Sequence, residues 1–588
     1  VFVFVFVFVF VVLFVMDHTQ FFQNSILDFY FSIGRVSLRK TDVEQYRRLT
    51  VLMTKFDKIV FYLKNAIGDE TDSPYIKYFD LLYKLILFSR DITNGLGERT
   101  LSHMMIFIWY KYFPVHSMTI LNIFPQWSSH KNSIGSWRDI PEFCTFIKHF
   151  AGESCPLIDT CIALMNHQLD LDTRGDSSLV SKWIPRESSK KFGWMYDRFV
   201  IQWFQSINGK NYFKRCKDEK DFAEKLKSCK RLYRHTVQKI CKPLDVVETK
   251  QCQGKWSQLN PKNVSTTTLM RQKNAFLNVY SSGKSRPKSE HIDDRIYCKN
   301  NFTSFYENKS VINKQHQFKE KVYSKKHFGI HLGTIVKDIL ETKVFDSNYY
   351  PVRLWKQVSL ASPSHQILPI IDLTAYQTPC FHDSVGIACM LAQTSFIESR
   401  IIAYDSTPQW VKLSDLHSDS YYTGDKLNNL QYARTLQNRI SHIVQLSTEK
   451  NGGNVHGTTN TERNMVRVFE MILKGFVETK IPPLQDMICI VLSPFDGLQR
   501  LSQEHKVITE MFHNAGYDTV PHIVYWNMSG KVTMDSGLWS IHPLENCTLL
   551  AGGSSTILRH LSSLKGDDWT LLNSYQFLEK ILEKYISL

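Results

Sequence analysis

Three strings in the first third of the chain set arginine beside acid, glycine, tryptophan or proline. They are RDITNGLGER at Arg90 to Arg99, IGSWRDIP at Ile134 to Pro141 and SKWIPRESSKKFGW at Ser181 to Trp194. Such mixtures belong at helix ends and turns, where a guanidinium fork can pair with a carboxylate or grip a phosphate. Two readings follow for Arg90, Arg99, Arg138 and Arg186: salt bridges within the fold, with Asp91 and Glu98 as near partners, or contacts to a polyanion. Between Lys210 and Lys326, 28 Lys and Arg stand against 11 Asp and Glu, a surplus larger than the net charge of +15 carried by all 588 residues. Lys214, Arg215, Arg231 and Arg234 lie in that stretch among Tyr212, Phe213, Tyr233, Trp256, Phe276, Tyr280, Tyr297, Phe302, Phe305 and Tyr306. Cations and ring faces together suit single-stranded RNA. The same pattern also describes a solvated basic face over an aromatic core.

Signatures of the common catalytic sites are missing from the sequence: there is no GxSxG elbow, no GxxxxGK[ST] loop and no HExxH. The expectation is a non-enzymatic protein with no small-molecule substrate. Twelve cysteines, spread from Cys144 to Cys547, form no CxxC pair and no close framework. That distribution points away from structural zinc or a disulfide scaffold, and towards a reducing intracellular compartment, cytoplasmic or nuclear. Basic clusters at Lys284 to Lys288 and at Lys325 and Lys326 would suit nuclear import. The opening VFVFVFVFVFVVLFV is apolar but shorter than the roughly 17–25 residues of a membrane helix, and it lacks a basic leader. Its strict alternation resembles a translated nucleotide repeat, with Met16 as the native start. No membrane partner is expected unless residues 1–15 are native, in which case an anchor or an aggregation-prone strand is the alternative.

The elements that must position these residues fall into blocks. Residues 16–280 read as helical, with apolar residues such as Phe79, Leu82, Leu85 and Ile86 at three- and four-residue spacing. Gly, Pro and Ser punctuation separates the helices, which suggests an array of helix pairs without a clean sequence period. Residues 281–326 are basic, polar and without sustained periodicity, so an exposed, partly disordered insertion is expected there. Returning helices and a linker occupy 327–365. From 366 to 588 buried-strand runs alternate with amphipathic helices: Ile367 to Leu373, Arg400 to Asp405, Met487 to Ser493, His522 to Met528 and Cys547 to Gly552. This alternation predicts an open, mostly parallel, Rossmann-type α/β sheet with helices on both faces. Ligands of such sheets sit beyond the carboxyl ends of the strands, where Asp372, Thr374, Ser493 and Asp496 fall.

In their order along the chain, the arginine strings resemble the TROVE module of telomerase, Ro and vault proteins. They resemble more closely a plant and large-virus family of unknown function that looks like a TROVE relative. The similarity continues through YRHTVQKICKPLDVVE at Tyr233 to Glu248, through Trp256 in GKWSQLNPKNV and through the C-terminal domain, covering most of the chain after Met16. The resemblance implies a ring or arc of HEAT-like helical repeats, a surface that in the Ro branch holds RNA, and a following von Willebrand A-like domain. In that domain a metal-ion-dependent adhesion site uses a strand-end Asp-x-Ser-x-Ser, a loop threonine and a further aspartate, which suit the octahedral oxygen shell of magnesium (Mg2+). Here Asp372 and Thr374 keep the first two ligands, and Tyr376 replaces the third. Thr459 supplies the loop threonine, while Pro494 stands where the related family has aspartate, so that Asp496 substitutes only if the loop shifts. Ligand count favours a degenerate site with no cofactor; magnesium at Asp372, Thr374, Thr459 and Asp496 is the alternative. The functional expectation is an RNA-binding ribonucleoprotein scaffold. Its alternative is an adaptor that recruits a protein partner through a metal-binding von Willebrand A-like domain.

Overall fold

A computed structural model describes residues 18–34, 36, 38, 41–68, 73–91, 95–123, 134–176, 178–244, 246–279, 292–306, 332–341, 355, 366–378, 380–395, 399–413, 425–451, 464–479, 487–495, 498–528, 544, 546–552 and 573–585. The helices used below are, in chain order, α1 (His18–Ser32), α2 (Val43–Ile67), α3 (Asp139–Ala151), α4 (Pro156–Thr173), α5 (Tyr196–Asn208), α6 (Glu219–Cys241), α7 (Ile292–Tyr306), α8 (Leu332–Glu341), α9 (Phe381–Thr394), α10 (Met465–Thr479), α11 (Leu498–Asn514) and α12 (Ser574–Leu582). The chain forms two compact units. One comprises the described residues within 1–89, 93–101 and 306–588, the other those within 90–92 and 102–305.

The first unit is built on six strands: β1 (Gln366–Asp372), β2 (Arg400–Tyr404), β3 (Gln409–Lys412), β4 (Met487–Ser493), β5 (His522–Asn527) and β6 (Cys547–Ala551). Their order is β3-β2-β1-β4-β5-β6, parallel throughout except for the antiparallel edge strand β3. The apolar runs read from the sequence become strands because both faces are covered, and every residue of β4 and β5 is buried. On one face Val468, Phe469 and Ile472 of α10 and Leu501, Ile508 and Phe512 of α11 pack with Ile370, Ile402, Val491 and Tyr525. Phe31 from α1 joins the same core. Elsewhere in the unit α8 crosses α9 closely at two glycines: a Cβ on Gly386 would stand 2.7 Å from Leu332 Cδ2, and one on Gly333 2.8 Å from Asp383 Oδ1. The strand order reverses between β1 and β4, so the carboxyl ends of these two strands, Asp372 and Ser493, mark the switch point.

The second unit is helical. α3 packs on α4, α4 on α5 and α5 on α6, while α6 also reaches back to α4 and to the short helix Val180–Trp183 that lies between α4 and α5. After α6 the chain runs through short turns that α7 ties down. The Asp294 carboxylate accepts the backbone N–H groups of Trp256 and Ser257 at 2.6 and 3.0 Å, and the Arg295 guanidinium lies 3.6 Å from the Trp256 ring centroid. Phe302 stacks on Phe276 with centroids 4.2 Å apart. Part of the stretch read as an exposed insertion is therefore an ordered helix with Cys298 and Phe302 buried. The basic clusters at 284–288 and 325–326, like residues 1–15, lie outside the described residues.

Candidate nucleic-acid interface

Helix α6 separates its charges along its length. Asp218 caps it, accepting from the Asp221 N–H at 2.8 Å, and Glu219 and Asp221 occupy the first turn, where the helix dipole favours acid. From Lys225 to Leu244 no acidic residue occurs, while Lys225, Lys227, Lys230, Arg231, Arg234, Lys239 and Lys242 do. One side of the helix is anchored in the unit. Cys229 and Tyr233 are buried, the Tyr233 hydroxyl donates to Asn166 Oδ1 at 2.8 Å, and its ring meets Trp203 edge-on at 5.7 Å. The opposite side exposes Lys227, Arg231, Arg234 and Gln238, followed by Lys242, at the three- and four-residue steps of one helical face.

At the C-terminal end of that face a cavity of about 700 Å³ is lined by Arg234, Gln238, Cys241 and Lys242, by Ile184 to Ser188, by Tyr196 and Tyr233, and by Thr249 and Gln253. Consecutive turns hold Arg186 there: the Ser189 N–H donates to the Arg186 carbonyl at 2.9 Å, and the Gly193 N–H to the Ser189 carbonyl at 2.9 Å. The chain doubles back so tightly that a Cβ on Gly193 would stand 2.6 Å from the Glu187 carbonyl oxygen. Glu187, the carboxylate in the lining, accepts from Lys230 Nζ at 3.0 Å, and Lys230 also pairs with Asp197 at 2.7 Å. Burial works against the Lys230 charge, but Asp197 and Glu187 outweigh it and raise its pKa. Burial likewise raises the pKa of Tyr196, with the nearby Arg234 charge opposing the shift. Arg186, Arg234 and Lys242 have no ion pair among the described residues.

The other arginines singled out by motif go elsewhere. Arg90 is 1% exposed, and its Nη2 sits 2.9 and 2.8 Å from the two carboxylate oxygens of Asp139, so it is a core ion pair and not an RNA contact. Arg138 bonds to Glu142 at 3.2 Å and lies over the Trp183 ring at 5.3 Å. Arg99 begins a helix at Arg99–Tyr112 and belongs to the first unit. Lys214 and Arg215 are exposed in the turn before α6, and Arg231 is one helical step from Arg234. Half of the ten rings offered as stacking faces are core: Phe213, Tyr233, Phe276, Phe302 and Tyr306 are buried, whereas Tyr212, Trp256 and Phe305 are half-buried and Tyr297 is 62% exposed. Tyr280 lies outside the described residues. Sequence reasoning missed Lys227, Gln238 and Lys242 as one face, although their spacing with Arg231 and Arg234 was there to be counted.

At the sheet's switch point Asp372 is 1% exposed. Its Oδ1 accepts from the Thr374 N–H at 2.9 Å and the Thr374 hydroxyl at 2.6 Å, and its Oδ2 from the Ser493 hydroxyl at 2.6 Å. Thr459 and Asp496 lie outside the described residues. The described part thus gathers three oxygen-bearing side chains, whose hydroxyls are turned onto the carboxylate. Magnesium asks for six oxygens in an octahedron, so an ion here needs three more oxygens and both hydroxyls rotated towards it. No group of three or more His, Cys, Asp and Glu side chains able to hold a metal occurs among the described residues.

One comparison bears on this half of the molecule: the family described as Domain of unknown function (DUF7788) matches residues 373–567. The match begins just after β1 and lies within the first unit. None of the curated proteins and none of the solved structures matches the chain.

Proposed function

We propose that the chain is a non-enzymatic RNA-binding scaffold whose helical unit grips the phosphate backbone of single-stranded RNA along the exposed face of α6. The observation that carries this reading is the row Lys227, Arg231 and Arg234, exposed on one face of a helix segment free of acidic residues, with Lys214 and Arg215 exposed before it. Guanidinium forks and ammonium groups in such a row match successive phosphates without reading bases. The finer fold assignments accompany it as proposals. Packing of α3 on α4, α4 on α5 and α5 on α6 supports a HEAT-like, TROVE-like array. The order β3-β2-β1-β4-β5-β6 with one antiparallel edge supports a von Willebrand A-like domain. All twelve cysteines are unpaired, which supports an intracellular setting, and no helix among the described residues is long and apolar enough to cross a membrane.

The test is a titration of the purified chain with an unstructured RNA. If about four phosphates are neutralised, a roughly fourfold rise in salt weakens binding by about 50-fold, and EDTA leaves it unchanged. Reversing charge with Lys227→Glu and Arg231→Glu together removes most of that salt dependence along with the affinity. Absence of binding at low salt overturns the reading. The adaptor alternative rests on the convergence of Asp372, Thr374 and Ser493, and would instead show binding to a protein partner that EDTA abolishes.

A further inference from the structure

The cavity at the end of α6 holds more positive charge than a backbone phosphate requires. Arg186, Arg234 and Lys242 bring three cations to its lining, against the single carboxylate of Glu187. That carboxylate is drawn to Lys230 at 3.0 Å. An internal phosphodiester offers one negative charge, whereas a phosphate monoester, with its second ionisation near pH 6, carries about 1.5–2 at pH 7. Two forked guanidinium groups and an ammonium suit the larger charge and its three terminal oxygens. Beside the cations the lining turns apolar at Ile184, Pro185 and Val237, while Gln238 and Gln253 place amides that both donate and accept. A volume of about 700 Å³ falls in the roughly 300–1,000 Å³ range of small-ligand sites, which suits a nucleotide rather than a folded domain.

We propose that this cavity takes the phosphorylated terminal nucleotide of a single-stranded RNA, so that the α6 face holds the strand while the cavity reads its end. The proposal rests on the RNA-binding reading, and the experiment separates the two. Fluorescence anisotropy with the full chain compares one short unstructured RNA carrying a 5′-monophosphate, a 3′-monophosphate or hydroxyls at both ends. Adenosine monophosphate, inorganic phosphate and a phosphoserine peptide serve as competitors. One phosphorylated end is expected to bind about tenfold tighter than the hydroxyl-ended RNA, the scale of one charge-assisted hydrogen bond. Adenosine monophosphate should cancel that advantage at concentrations where the peptide and inorganic phosphate do not. The advantage should also shrink between about pH 7.5 and about pH 5.5 as the monoester becomes a monoanion. Arg186→Ala and Lys242→Ala each bring the ratio of the two affinities towards one, whereas Lys227→Glu weakens both RNAs and preserves the ratio.

Equal binding of phosphate- and hydroxyl-ended RNA overturns the terminal-nucleotide proposal and leaves the RNA reading standing. Competition by the phosphopeptide or by inorganic phosphate as strong as by adenosine monophosphate overturns the nucleotide assignment of the cavity. Absence of binding by every RNA overturns the broader reading itself.

Discussion

Arg90 shows how little a residue type says without its burial. The string RDITNGLGER offers two arginines nine residues apart as equals, yet Arg90 is sealed against Asp139 with side-chain exposures of 1% and 0%. Asp139 is in turn fixed by the Ser136 N–H at 2.7 Å. A buried pair of this kind contributes little relative to a well-packed apolar pair, but removal of one member strands a charge in the core. Arg90→Leu is therefore expected to lower unfolding stability by about 3–5 kcal/mol, read as a shift of the urea midpoint at unchanged slope. On the proposed RNA-binding reading, the affinity of the protein that remains folded should be unaltered, measured below the unfolding transition. A variant of ordinary stability that loses RNA would return Arg90 to the binding surface. The aromatic residues teach the same lesson: rings interleaved with lysine look like stacking platforms in sequence, and burial of Phe213, Phe276 and Phe302 assigns them to the core.

Elements were more legible than residues. The five strand runs read from apolar continuity coincide to within about a residue with β1, β2, β4, β5 and β6, because strands covered on both faces must be apolar throughout. The strand that escaped is β3, four residues long, with Trp410 48% exposed and a burial pattern that never becomes a buried run. Nor does sequence reveal which helical glycines matter. Gly386 and Gly475 both sit inside helices of the first unit, in α9 and α10, and look alike as letters. A Cβ on Gly386 meets Leu332 Cδ2 at 2.7 Å, Leu332 Cγ at 2.8 Å and Val336 Cγ2 at 3.1 Å, whereas one on Gly475 meets nothing within 4 Å. Gly386→Ala should destabilise the unit by about 1–3 kcal/mol through overpacking of the α8–α9 crossing. Gly475→Ala should stabilise it by about 0.5–1 kcal/mol by lowering the entropy of the unfolded chain. Denaturation of the two variants side by side checks both signs, and equal signs would refute the crossing as described.

At the scale of the whole molecule, chain order is a poor guide to which residues share a core. Asn527, at the carboxyl end of β5, donates its side-chain N–H to the Phe31 carbonyl at 2.6 Å across 496 residues of sequence, and its Oδ1 accepts the Phe495 N–H at 3.2 Å. The Phe31 ring lies 5.5 Å from that of Phe495, and Leu96 approaches so close to β6 that a Cβ on Gly552 would stand 2.6 Å from it. The first helix and residue 96 thus cover the carboxyl ends of strands that apolar patterning assigned to a C-terminal domain. Patterning shows that α1 has apolar residues to bury, but nothing in a linear period tells it where. The stretch matching the family of unknown function, residues 373–567, omits β1 as well as α1. A fragment limited to it would lack a central strand of the sheet and would leave Phe495 uncovered. Phe31→Ala in the full chain is accordingly expected to lower the stability of the first unit by about 3–5 kcal/mol, the range for truncating a buried phenylalanine. Hydrogen exchange at β4 and β5 should report the loss, because both strands lie in the core that Phe31 completes. If exchange in those strands were unchanged, the first helix would be a passenger on the α/β sheet, and the sheet's core would close without it.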